Sequence, residues 1–295
     1  MTTERNNVPS NSTLPREATP AERPTLRIAY TPDSDDAFNY YAWQRGRVTL
    51  DSHAARFENG HIIALNRLAA AEEADVVGIS SAFFPSVAHR YWILAVGNSI
   101  GRGYGPVLAS KRFDIPDQLR GRRIAVGGMP TTGGALAMMY CPGAQLVEMR
   151  YDRIADAVVA DEVDAGVMIH EELLHFPQKG LKRVLDLGAA WCDDTKLPLP
   201  VGLNVVHQRL GRDLARRVAA MCLASLRWAR ENYDEAFAFA SRFGRGCAAQ
   251  HIGMFSNDDT ACMPPDARRA LDVMFDRIAR LGIGPRTESY EIIDV

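Results

Sequence analysis

The sequence predicts an α/β fold of two lobes hinged around a ligand cleft. Three observations carry this. Strand-turn-helix units recur through the first half of the chain, and the last third is mainly helical. Two extended stretches rich in Gly, Pro and Val, residues 103–112 and 198–210, bracket a central α/β unit. A chain crossing between lobes at each stretch gives one discontinuous lobe of residues 25–108 plus 206–295 and an inner lobe of residues 109–205.

The elements follow in order. Residues 1–24 are rich in Thr, Asn, Ser, Pro and Glu and lack an apolar block, so a disordered leader is expected rather than a secretory signal. From Thr25, the residues Leu26, Ile28 and Tyr30 alternate with polar or small ones as a strand requires, and Thr31-Pro32-Asp33-Ser34 forms a turn. A helix follows with Phe38, Tyr41 and Ala42 on one face, Asp35 near its N-cap and Gly46 as its stop. Ile62–Ala71 reads as a helix, Ala74–Ile79 as a buried strand and Phe83–Arg90 as another helix. Arg123–Val126 is a strand that turns through Gly127-Gly128-Met129-Pro130 into a helix starting near Thr132. Ile154–Ala160 is helical, and Val163–Ile169 is an apolar strand ending at His170. Leu214–Asn232, Asp234–Phe243 and Pro265–Leu281 carry apolar residues at helical spacing.

Composition narrows the function. The 295 residues hold 34 Lys+Arg against 36 Asp+Glu, a formal charge of -2, which argues against a dedicated binder of nucleic acid or anionic membrane. Hydrophobic residues make up 47% and charged residues 24%, the proportions of a globular protein with a large core. The five cysteines stand far apart with no CxxC pair, which fits neither a disulfide framework nor a structural zinc site and favours a reducing cytoplasm. No run approaches the roughly 18 to 20 apolar residues that cross a bilayer.

The motifs exclude as much as they suggest. Gly101-Arg102-Gly103-Tyr104-Gly105-Pro106 lacks the GxGxxG spacing and leads into a strand, where a dinucleotide site needs a helix. Gly128–Gly133 has Walker spacing, but Gly134-Ala135 stand where Lys-Ser/Thr must reach phosphate and magnesium. In His170-Glu171-Glu172-Leu173-Leu174-His175 the second histidine falls at i+5, off the helical face that a zincin uses. His170 still ends a strand, where open α/β sheets present reactive residues; a lone histidine there is either structural or catalytic. Thr131-Thr132-Gly133-Gly134 opens a helix, which gives an ordinary N-cap and, compatibly, a carboxylate site of hydroxyls, free amides and the positive dipole end. Asp33-Ser34-Asp35-Asp36 lacks the glycine and distal glutamate of an EF-hand loop; it is a helix start whose carboxylates can also meet a polyhydroxylated ligand. Ser80-Ser81 occupies the same kind of place after the strand Ala74–Ile79. No metal or cofactor is called for.

The combination resembles a known family. Thr31-Pro32-Asp33-Ser34-Asp35-Asp36-Ala37-Phe38, Leu65-Asn66-Arg67, Gly101–Pro106, Thr131-Thr132, Arg150-Tyr151-Asp152-Arg153-Ile154, Val163-Asp164-Ala165-Gly166, Ile169-His170-Glu171, Asp186-Leu187-Gly188 and Leu197-Pro198-Leu199-Pro200 occur in the order found in 1,4-dihydroxy-6-naphthoate synthases of the futalosine route to menaquinone. The resemblance spans about Thr25 to Pro285 and implies a two-lobed, periplasmic-binding-protein-like fold of type II used for catalysis. It implies a lyase that cleaves cyclic dehypoxanthine futalosine into 1,4-dihydroxy-6-naphthoate and a three-carbon fragment without a cofactor. It further implies His170 as general base, Gly78, Ile79, Ser80, Thr131 and Thr132 as substrate contacts, and pairing into a homodimer. The chain departs from the family pattern at His61, Ser81, Ala189-Ala190-Trp191, Leu203 and Glu172-Leu173-Leu174-His175. Two other readings share the fold, the chorismate dehydratase of the same pathway and a non-catalytic binder of aromatic carboxylates.

Overall fold

A computed structural model describes residues 23–295. The leader expected over residues 1–24 lies outside the described residues except for its last two. The first half of the outer lobe contains β1 (Thr25–Tyr30), α1 (Ser34–Gln44), β2 (Ala54–Asn59), α2 (Ile62–Ala70), β3 (Val76–Ser80), β4 (Tyr91–Leu94) and β5 (Ser99–Gly101). The chain then enters a second sheet through β6 (Val107–Ser110), β7 (Arg123–Val126), α3 (Thr132–Tyr140), β8 (Gln145–Glu148), α4 (Tyr151–Val159), β9 (Ala165–Met168), α5 (Glu172–His175), β10 (Lys182–Asp186) and α6 (Leu187–Thr195). It returns through β11 (Leu199–His207), α7 (Gly211–Glu231), α8 (Tyr233–Ala240), α9 (Ala248–Phe255), α10 (Asp258–Ala261), α11 (Pro265–Arg280) and β12 (Ile292–Ile293).

The first sheet runs β12-β4-β11-β3-β1-β2 with β5 paired to β11, and the second runs β10-β6-β9-β7-β8. Within them β1 is parallel to β2 and β3, and β7 is parallel to β8 and β9. Parallel strands end side by side, so their carboxyl ends and the helix starts behind them share one edge of each sheet. β11 closes the circuit. It pairs antiparallel with β3, Leu203 against Ile79 and Gly202 against Ser80, which brings the returning chain beside the end of β3. By pairing, β6 belongs wholly to the second sheet and β11 to the first, and the expected limits at 108/109 and 205/206 fall inside these two strands.

Apolar spacing explains the packing. Leu26, Ile28 and Tyr30 of β1 and Phe38 and Trp43 of α1 are buried with Val218, Cys222 and Leu226 of α7 in one core. A second core, with Leu108, Ile124, Val126 and Leu136 beside Val77, Ile79 and Val205, joins the two sheets. Trp191 is fully buried and its indole nitrogen donates to the Pro198 carbonyl at 3.0 Å, which satisfies the one polar group such a side chain carries.

One expected helix changes. Phe83–Arg90 is not an α-helix; Ser81–Ser86 forms a 3-10 turn with Pro85 inside it, and proline supplies no amide to carry an i→i−4 ladder. Asp33 is the N-cap of α1, and Asp35 lies near it in the first turn, as expected. No helix among the described residues is long and apolar enough to cross a membrane.

Candidate active site

The ends of β1, β3, β7 and β9 and the starts of α1 and α3 converge on one cavity, closed on its remaining side by β11 and α9. The space between these walls, counting the part open to solvent, is about 850 Å³. Asp33, Asp35, Gly78, Ile79, Ser80, Thr131, Thr132 and His170 all line it. Leu203, one of the departures from the family pattern, also lines it, while His61 stands at the N-cap of α2 and packs edge-on against Tyr151 at 5.0 Å.

His170 follows β9 with a left-handed backbone, φ 54°, a conformation that a side-chain-bearing residue holds at some cost and that recurs at functional sites. Its Nδ1 meets Asp33 Oδ2, and its ring lies 4.5 Å from that of Tyr151 between centroids. Nε2 is buried and has no hydrogen-bond partner. Burial, and then the charge of Arg245, push the imidazole down to about 3, so it is held neutral. When Asp33 is ionised and accepts from Nδ1–H, the nitrogen left to take a proton is Nε2.

Asp33 also accepts from Thr31 Oγ1 at 3.0 Å, and the same hydroxyl lies 2.5 Å from Asp36 Oδ2, which in addition accepts from the Thr31 amide at 3.1 Å. Burial, then the charge of Asp36, push Asp33 well above the usual carboxylate range; burial and Asp33 do the same to Asp35. Asp36 is pushed up to about 7 by burial and by Asp35. Three neighbouring carboxyls cannot all ionise in a buried site, so protons stay among them. Their oxygens lie within 4.8 Å of one another, close enough for a cation, but Asp33 and Asp36 are already engaged by His170 and Thr31. The cluster is an acid network around the histidine.

The opposite wall donates. Thr131 caps α3, its Oγ1 accepting from Gly134 N at 3.2 Å and donating to the Gly128 carbonyl at 2.7 Å. Thr132 Oγ1 donates to the Val201 carbonyl at 2.7 Å and accepts from Ala82 N at 3.3 Å. The sequence suggested two hydroxyls among the donors of a carboxylate site; both protons are taken by carbonyls. What remains for an anion is the first-turn amides and the positive end of the helix.

His251 and Arg245 carried no signal in the sequence, and Glu171 entered only as a neighbour of His170 in the motifs. His251 of α9 lines the cavity with its Nδ1 3.3 Å from Ser34 Oγ. Glu171, next to His170, is buried and accepts from Ser34 Oγ at 2.5 Å, from Cys247 N at 3.2 Å and from Arg245 N. Arg245 donates to Glu172 at 2.8 Å and lies over the Tyr151 ring. The loop between α8 and α9 approaches so closely that a Cβ on Gly244 would stand 2.7 Å from Glu171 Oε1. Glu171→Gln is expected to lose stability, because one amide nitrogen must then face a donor. An orphaned buried donor costs about 1–3 kcal/mol, to be read from urea unfolding.

A family model described as menaquinone biosynthesis matches residues 26–280. A 1,4-dihydroxy-6-naphthoate synthase of Thermus thermophilus is 32% identical over 263 residues, covering 88% of this chain and 95% of its own length. A solved structure of a protein from Archaeoglobus fulgidus is 38% identical, with a TM-score of 0.82 over 88% of this chain and 98% of that one. The alkanesulfonate-binding protein of Xanthomonas axonopodis, only 10% identical, superposes with a TM-score of 0.71 over 93% of this chain and 99% of that one, which shows a shared periplasmic-binding-protein fold.

Proposed function

The chain belongs to the menaquinone-biosynthesis family, and we propose that it carries out the reaction of the 1,4-dihydroxy-6-naphthoate synthases, cleaving cyclic dehypoxanthine futalosine to 1,4-dihydroxy-6-naphthoate and a three-carbon fragment. The observation that carries the reading is the unpartnered Nε2 of His170, buried in a cavity that the start of α3 also lines. The aromatic carboxylate lies at the start of α3, against the first-turn amides beside Thr131 and Thr132, and the sugar-derived portion lies toward Asp33, Asp35 and His170. Neutral His170 takes a proton from that portion through Nε2, Asp33 holds Nδ1, and the carbon–carbon bond breaks. Aromatisation of the ring drives the step, and atoms balance without an oxidant or reductant. Gly78, Ile79 and Ser80 line the ligand beside β3. The two chain crossings, β5 to β6 and α6 to β11, serve as the hinge between lobes, and the enzyme works in the cytoplasm.

Purified protein incubated with cyclic dehypoxanthine futalosine is expected to release the dihydroxynaphthoate, followed by HPLC. Chorismate run in parallel separates the rivals: product from chorismate alone indicates the dehydratase. A ligand-induced rise in melting temperature with both compounds left intact indicates a binder.

A further inference from the structure

We propose that His251 is a second catalytic residue of this cavity, the general acid that returns a proton to the cleaved substrate opposite His170. The inference rests on the reaction proposed above. Bond cleavage by a base leaves an electron pair on one fragment, and that fragment must gain a proton before release. The products sum to the substrate, so a proton removed at one position has to be delivered at another. His170 sits on the turn after β9, whereas His251 comes from α9, so two imidazoles on separate elements address the same ligand.

The charged neighbours of the two rings differ. His170 has Asp33 at Nδ1 and the cation Arg245 nearby. His251, only 2% exposed, has Nδ1 3.3 Å from Ser34 Oγ and 3.4 Å from Asp35 Oδ1, and Ser34 passes its own proton to Glu171 Oε1 at 2.5 Å. An imidazolium there donates Nδ1–H to the Ser34 and Asp35 oxygens and keeps Nε2–H for the ligand. Asp35 Oδ1 is buried with no hydrogen-bond partner, an acceptor in place for that donor. Burial lowers the affinity of both rings for a proton; at His251 the Asp35 and Glu171 carboxyls oppose that shift and His170 adds to it, while at His170 the Arg245 charge adds to it. The carboxyls beside His251 suit it to hand over a proton, and the cation beside His170 suits it to take one. The step then balances: His170 Nε2 gains the substrate proton, the carbon–carbon bond breaks, its pair stays on the departing carbon, and His251 Nε2 gives that carbon a proton.

The test uses the full chain turning over cyclic dehypoxanthine futalosine. His251→Gln keeps the volume and a donor toward Ser34 but has no transferable proton, and is expected to lower kcat by about 10²–10⁴-fold, the usual worth of positioned proton transfer, with KM changed little. In His251→Ala, added imidazole is expected to restore rate in proportion to its protonated form, whereas in His170→Ala it restores rate in proportion to its free base. Wild-type kcat in His251→Gln, a loss confined to KM, or rescue of His251→Ala by the free base overturns the assignment. Where His251→Ala melts early, the Gln variant decides alone. Wild-type protein that leaves the substrate intact overturns the underlying reaction, an outcome distinct from an active enzyme indifferent to His251.

Discussion

His170→Ala is expected to fold like the wild type and to form product about 10²–10⁴-fold more slowly, the loss that follows removal of a positioned base. The loss should fall on kcat rather than KM, because Nε2 has no hydrogen-bond partner to give up in the unreacted protein. The pH dependence adds a second signature. The folded imidazole is pushed down to about 3 from an ordinary value of 6.5, so a fall in activity as the pH drops should follow protonation of the raised Asp33 carboxyl and not of the imidazole itself. Stability does register the imidazole. The unfolded chain takes up a proton below 6.5 that the folded chain refuses, so His170 costs stability progressively as the pH falls from 6.5 toward 3. His170→Ala removes that cost, and its melting temperature should decline less than wild type between pH 7 and pH 4. A variant that keeps wild-type turnover sinks the role of His170 as base.

The parts of this site that were legible in the sequence are those whose signal is local. His170 closes an apolar strand, Asp33 follows β1, and Thr131 follows a glycine-rich turn into a helix; each announces a strand end or helix start within a few residues. His251 does not. It sits in Ala248–Phe255, an eight-residue helix of mostly apolar residues, and its Ser34 contact is 217 positions away, so it reads as a core histidine. The same limit applies to Arg245, whose partners Glu172 and Tyr151 lie on the other sheet's elements. Among the elements, β2 went unseen because its half-buried pattern, with Arg56 and Glu58 inside it, carries little apolar alternation. Phe83, Phe84 and Val87 are spaced as on a helix, yet Pro85 between them removes an amide and leaves a 3-10 turn. Pattern reports which residues prefer burial, and backbone donors decide the element that buries them.

Asp33→Asn should separate activity from stability. Asn keeps the shape of the carboxyl, but it can place an amide N–H against Nδ1 of His170, and the imidazole then carries its proton on Nε2, where the substrate needs a lone pair. A wrong tautomer of this kind in a serine protease lowers kcat by about 10⁴-fold, and a fall of about 10³–10⁴-fold is expected here, with substrate binding retained. Stability takes the opposite sign. Burial and Asp36 raise the Asp33 carboxyl well above 3.8, so the unfolded chain releases this proton first as the pH rises. Wild-type protein therefore gains from Asp33 at low pH and loses that stability as the pH climbs from about 4 through the raised folded value. Asn behaves as a carboxyl that never ionises. Asp33→Asn should match wild type in melting temperature at pH 4 and exceed it at pH 8, where it is also nearly inactive. A variant that loses activity only because it unfolds would show a lower melting temperature at pH 8, and that result would remove Asp33 as the group that sets the tautomer.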